Sequence, residues 1–172
     1  MLTKRKIHII GSVGSGKTTL AKMLSEELGI PYYELDNVMW ERRPDGDRRR
    51  TEEERKAILG DILSKQAWIM EGVHNDDWMA ASFHEADLIL LLDTSHKVRT
   101  FRIIRRFLRQ KAGLETCHYK PTVRIFLNMF KWSRSFETEG KHRFYQRCEP
   151  YREKIKVIKD SDGLNEYKNK KG

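Results

Sequence analysis

Eight residues near the amino end, Gly11-Ser12-Val13-Gly14-Ser15-Gly16-Lys17-Thr18, set glycines, a lysine and a hydroxyl at the spacing G-x-x-x-x-G-K-[ST]. That spacing suits anion binding. Glycines let the backbone curl until its N–H groups converge on phosphate oxygens, and the next helix adds unpaired N–H groups and the positive end of its dipole. Lys17 would reach the β- and γ-phosphates, and the Thr18 hydroxyl would be a ligand of Mg²⁺. With Thr19, these residues form the candidate nucleotide-binding set. Their context agrees. Lys6-Ile7-His8-Ile9-Ile10 reads as a buried strand before the loop. Leu20, Ala21, Leu24 and Leu28 then share one helical face, which Gly29 and Pro31 bring to an end. Strand, loop and helix follow in the order that binding of a nucleoside triphosphate requires.

A cradle only holds phosphate; transfer needs charge neutralised around the moving group. Three acids follow strand-like stretches: Asp36 after Tyr32-Tyr33-Glu34-Leu35, Glu71 after Trp68-Ile69-Met70, and Asp93 after Leu88-Ile89-Leu90-Leu91-Leu92. Glu71 is followed by Gly72, which permits close backbone approach, so Glu71 is assigned with Thr18 to Mg²⁺. Asp36 is assigned to the acceptor, as a candidate general base. Each acid could instead cap a neighbouring helix, and Asp93-Thr94-Ser95 reads equally well as a helix entry. From Lys97 to Lys111 a helix carries seven basic residues and no acid. Arg99, Arg102, Arg106 and Arg109 share a face, with Phe101, Ile104 and Leu108 as the expected core-facing stripe. Seven like charges repel one another unless an anion is present. Phosphate contact by at least two of the arginines is therefore expected, against the plainer reading of a solvated cationic face. His74, Asn75, Asp76, Asp77 and Trp78 could line an acceptor pocket. His8 reads as a core residue and Trp40 as a core or rim aromatic, while His96, His118 and Cys117 make no metal set.

The elements that must position these groups alternate. Five short apolar strands separated by helices imply a parallel sheet covered on both faces, in a three-layer α/β/α fold. Ligands of such sheets sit at the carboxyl ends of the strands, where the cradle and all three acids lie. Residues 41–50 have loop composition, and Thr51 and Glu54 form a helix-start signal. The section from Pro121 to Tyr151 reads as mostly helical, Ile155–Ile158 as the last strand and Gly163–Lys171 as a terminal helix.

The 172 residues fit one domain, and no signal peptide or membrane span is legible. With only two cysteines, Cys117 and Cys148, free thiols and a cytoplasmic setting are expected. A net charge of +9 favours anionic partners without separating nucleotide from nucleic acid.

The phosphate loop, Glu34-Leu35-Asp36, Glu71-Gly72, Leu91-Leu92-Asp93 and the Arg102–Arg106 pair together resemble the P-loop nucleoside monophosphate kinases, relatives of adenylate and shikimate kinases. The runs HIIGSVGSGKTTLAKMLSEEL, IPYYELDNVMWER, WIMEGVH and RIIRRF resemble more narrowly the adenylate-kinase-related "topology modulation" (FlaR-like) proteins. The resemblance covers most of residues 5–160. It implies strand order 2-3-1-4-5, an acceptor-binding region near 37–66, a helical lid near 111–150 and an adenine-wrapping loop near 159–163. It also implies that arginines such as Arg102 and Arg106 close over the phosphates. The adenylate kinase Asp-Gly-Phe-Pro-Arg signature is replaced here by Glu71-Gly72-Val73-His74, so AMP is not the implied acceptor. The expected activity is ATP- and Mg²⁺-dependent phosphoryl transfer to a small acceptor, with Lys17, Asp36, Arg102 and Arg106 as catalytic residues. The alternative is an ATP-binding, DNA-associated regulator.

Overall fold

In the computed structural model, residues 5–74, 76–115 and 122–159 are described. Strands β1 (Lys6–Gly11), β2 (Tyr32–Glu34), β5 (Trp68–Gly72), β6 (Leu88–Leu92) and β7 (Ile155–Ile158) form one sheet in the order β2-β5-β1-β6-β7. Every pairing in it is parallel. Counting sheet strands alone, this is the expected 2-3-1-4-5. Side chains of β1 alternate between two apolar layers, with Ile7 and Ile9 on one side and Ile10 on the other, all fully buried. Registers Ile10↔Gly72 and Gly11↔Leu92 bring the carboxyl ends of β5 and β6 level with the end of β1. Whatever follows those three strands is therefore delivered to one edge.

Helix α1 (Lys17–Leu28) starts at the loop and ends on Gly29 at φ +64°, a left-handed cap open to glycine at no steric cost. Helix α3 (Glu52–Leu63) opens with the expected capping box: Glu54 N–H donates to Thr51 Oγ1 at 3.3 Å, and Thr51 N–H to Glu54 Oε2 at 2.8 Å. Its buried residues are Leu59 and Ile62, whereas Ala57 is exposed. Helix α4 (Ala80–Glu85) follows a short 3₁₀ turn.

Three sequence expectations are corrected. Strand β2 stops at Glu34, and Leu35–Met39 forms a short helix, α2, so Asp36 lies in a first helical turn rather than at a strand end. Leu35 is fully buried on Gly72, where an added Cβ would lie 2.8 Å from Leu35 Cβ. Gly72 thus makes room for Leu35, not for a ligand. Residues 41–50 are not all loop: β3 (Trp40–Glu41) and β4 (Arg48–Arg49) pair as an antiparallel ribbon. Finally, helix α5 (His96–Lys111) buries Arg99, Ile103 and Gln110 and leaves Phe101, Ile104 and Leu108 exposed. Its inner face meets the phosphate loop and helix α6 (Val123–Ser135), not the apolar core. Phe107 stacks on Phe126 of α6 with ring centroids 4.4 Å apart.

After α6 come a π-helical turn (Phe136–Gly140), helix α7 (Lys141–Arg147) and a 3₁₀ turn (Glu149–Lys154) leading into β7. Asn75, Cys117, His118, Pro121, the adenine-wrapping loop beyond Lys159 and the terminal helix lie outside the described residues. Cys148 is a buried free thiol whose desolvation pushes its pKa up to about 12. Among the described residues, no helix is long and apolar enough to cross a membrane.

His8 is a core residue, as expected, and its hydrogen bonds identify its tautomer. Ser82 Oγ spends its proton on Met79 O at 2.7 Å, so it accepts from His8 Nδ1–H at 3.1 Å. The ring is neutral, stacked on Phe83, and its Nε2 is buried without a partner among the described residues. Desolvation lowers its pKa from 6.5 to about 3. A depressed histidine pKa leaves stability intact above 6.5 and lost progressively as pH falls toward the folded value. Urea unfolding should therefore show a loss of about 2 kcal/mol from this group between about pH 7 and pH 5. His8→Asn, which keeps the donor to Ser82, should lack that component, and an unchanged pH slope in the variant would contradict the assignment.

Candidate active site

The loop turns with positive φ at Gly14 (+75°) and Gly16 (+99°). A Cβ at Gly14 would also stand 3.0 Å from Arg99 O and 3.1 Å from Ile103 Cγ1 of α5, so glycine is required there both conformationally and sterically. Ser15 O accepts from Thr94 Oγ1 at 3.0 Å and from Arg102 Nη1 at 2.9 Å. Ser12 O accepts from Lys17 Nζ at 3.0 Å, and Ser12 Oγ donates to Ser133 Oγ of α6 at 3.4 Å. The Ser12 and Ser15 carbonyls are thereby occupied, Ser12 O also accepting from Ser15 N–H at 3.2 Å. The first amides of α1, with no carbonyl one turn before them in the helix, remain as donors at the strand edge.

Thr18 Oγ1 donates to Glu71 Oε1 at 2.6 Å, so the two residues assigned to a metal stand in direct contact. Glu71 is 6% exposed, and burial raises its carboxyl above the ordinary value against the pull of Lys17 and Thr18. Burial likewise lowers the Lys17 ammonium, opposed by Glu71 and Asp36. A buried carboxylate beside a hydroxyl is a hard-oxygen pair that fits Mg²⁺ once nucleotide oxygens and water complete the shell. Among the described residues no cluster of three or more His, Cys, Asp or Glu makes a metal cage.

Asp36 faces the same edge. His74 Nε2–H donates to its Oδ1 at 3.1 Å, and this bond is the main reason its exposed carboxyl lies below the usual range, a shift that Lys17 reinforces. His74 also faces Trp78, with ring centroids 6.2 Å apart, and the Arg55 guanidinium lies 5.4 Å over the Trp78 ring. Asp36, His74, Trp78 and Arg55 thus form a row beside the cradle.

The arginine helix is split. Arg102 is fastened to the loop, and Arg106 lies near enough to Lys17 to depress its ammonium. Arg106 and Arg109 both pair with Glu115 at 3.4 Å. Arg99 is buried against Glu137. Asp93 pairs with Lys141, and Thr19 is exposed on the first turn of α1. Sequence reasoning missed Ser133, Glu137 and Arg55, each from an element whose facing partner no local pattern announces. Thr94 was read only as helix-entry chemistry.

No protein-family model matches the chain. It is 34% identical to a shikimate kinase of Bacillus cytotoxicus over 154 residues, 79% of this chain and 85% of that protein. It is 33% identical to the uncharacterised protein YqaC of Bacillus subtilis over 137 residues, 80% of this chain and 75% of that one. The crystal structure of a shikimate kinase from Acinetobacter baumannii in complex with shikimate superimposes with a TM-score of 0.59 at 16% identity, covering 92% of this chain and 85% of that one.

The raised carboxyl of Glu71 means that its ionised form costs folding stability at neutral pH. Glu71→Gln should melt at the wild-type temperature or a few degrees above it, while ADP binding loses its enhancement by Mg²⁺. A lower melting temperature with the Mg²⁺ enhancement intact would contradict this role.

Proposed function

This chain belongs to the P-loop nucleoside-monophosphate-kinase-like family, which includes the shikimate kinases, and from that membership we propose that it transfers the ATP γ-phosphoryl group to a hydroxyl of a small acceptor. The observation that carries this reading is the contact of Thr18 with buried Glu71 beside Lys17, at the start of the helix that follows the glycine-rich loop. An anion-binding loop alone would need no desolvated carboxylate at that point.

In the proposed reaction the loop amides and Lys17 hold the β- and γ-phosphates. Thr18 and Glu71 would hold Mg²⁺, which supplies charge neutralisation across the two phosphates. Asp36, kept ionised by His74, orients the acceptor hydroxyl and takes its proton. The acceptor oxygen bonds to the γ-phosphorus, the bond to the β,γ-bridging oxygen breaks, and ADP leaves. Arg102 and Arg106 offset charge on the transferred group, and the helical section after α5 acts as the lid. The acceptor region spans about 37–66, within one domain covering the chain.

The DNA-associated reading, suggested by net charge, by the run Arg48-Arg49-Arg50 and by the resemblance to topology modulation proteins, loses its best local support in that run. Arg48 is held by Glu41 and Glu54, each at 2.6 Å, and Arg50 Nη1 donates to Asn37 O and Trp40 O at 2.6 and 2.8 Å. Those guanidiniums brace the ribbon.

Lys17→Met is expected to lower ADP release from Mg²⁺-ATP by at least about 10³-fold, with the circular dichroism spectrum unchanged. The assay is run against a panel of nucleosides, nucleotides and hydroxylated acids including shikimate. Turnover retained in a folded variant would refute the proposal. Labelled duplex titrated at low and physiological salt should show no binding at the higher salt; tight binding there would restore the regulator reading.

A further inference from the structure

Behind the glycine-rich loop lies a chain of charges, Arg99 buried and Glu137, Lys141 and Asp93 half-buried, that phosphoryl transfer itself does not use. Arg99 is 1% exposed, yet it is a full guanidinium. Its Nη1 donates to Glu137 Oε1 at 2.6 Å, while Nε and Nη2 are buried without a partner among the described residues. The other carboxylate oxygen of Glu137 accepts from Lys141 Nζ at 2.9 Å, and Lys141 also pairs with Asp93, which follows β6 directly. The backbone of the same Arg99 presses on Gly14, at the tip of the loop.

Glu137 lies in the π-helical turn Phe136–Gly140. A π turn inserts one residue into a helix and rotates everything after it, a costly feature that recurs at functional sites. Here the Phe136 ring occupies the space a Cβ on Gly140 would need, 2.9 Å away. In this register Glu137 meets Arg99 and Lys141 meets Asp93. Three residues before the turn starts, Ser133 is 2% exposed and accepts the hydrogen bond from Ser12. The helical section is therefore tied to the loop at two points, through Ser12 and through Arg99.

We propose that Glu137 is a positioning residue for the nucleotide phosphates: through Arg99 it holds the phosphate loop in its binding shape and couples that loop to the α6 section. The inference rests on the reading that the loop binds nucleotide. An ion pair with one buried partner, used only for stability, is replaceable by packed apolar groups, and it has no reason to run from the loop into the α6 section. This one does run there, and it ends on a register-shifted turn.

The test uses the full chain and MgADP. Affinity is measured by calorimetry, and the response of α6 by the emission of Trp132, 52% exposed and next to Ser133, isolated by difference from Trp132→Phe. Wild type should bind MgADP with a change in Trp132 emission. Glu137→Gln should weaken binding at least tenfold and abolish that change, and Glu137→Asp should restore part of both. Should Glu137→Gln fail to fold, Ser133→Ala is expected to weaken binding several-fold and reduce the emission change. A variant that melts lower but keeps wild-type affinity and emission response shows a purely structural role and overturns the inference. Wild type that does not bind MgADP sinks the nucleotide reading itself, a separable failure.

Discussion

The glycine-rich loop keeps its shape through hydrogen bonds from elements distant in sequence, and that support organises this molecule. Ser15 O is taken by Thr94 and Arg102, Ser12 O by Lys17, and Ser12 Oγ by Ser133. The supporting groups come from the β6–α5 junction, from α5 and from α6, so the loop's shape is a property of the surrounding fold and not of its eight residues alone. Gly14 expresses the same dependence in steric form, since α5 leaves no room for a side chain there.

Charge burial follows from the same placement. The space between strand ends and the start of α1 is enclosed by protein, so Lys17 and Glu71, which face it, are desolvated. Lys17 and Glu71 each lie on the unfavourable side of their ordinary pKa, and each is partly relieved by the other. Such a site carries residual demand for both an anion and a cation, which a magnesium nucleotide supplies together. The cost to the empty protein is preorganisation: the site holds charges in a low-dielectric setting ready for ligand charge.

Much of this was legible in the sequence. The loop spacing, the continuous apolar strands and the Thr51–Glu54 capping box each depend on local chemistry, and each stands where expected. The Thr18–Glu71 pairing was legible because parallel strands bring their carboxyl ends to a common edge. What escaped depended on distant partners. Residues 35–39 are helical because Leu35 finds space against Gly72, thirty-seven positions further along the chain. Helix α5 carries both an apolar and a cationic stripe, and periodicity alone does not say which faces inward. The inner neighbour is the polar phosphate loop, so Arg99 is buried and Phe101 exposed. The role of Glu137 depends on a π turn that residue spacing does not signal.

The account centres on free amides at the loop and the start of α1 meeting phosphate. Its most direct test is a titration of ¹⁵N-labelled protein with MgADP followed by amide resonances. Gly14, Gly16, Lys17 and Thr18 should show the largest shifts, saturating together, with Thr94 and Ser133 following as supporting contacts. Saturable binding that leaves those four amides in place and moves resonances elsewhere would contradict it.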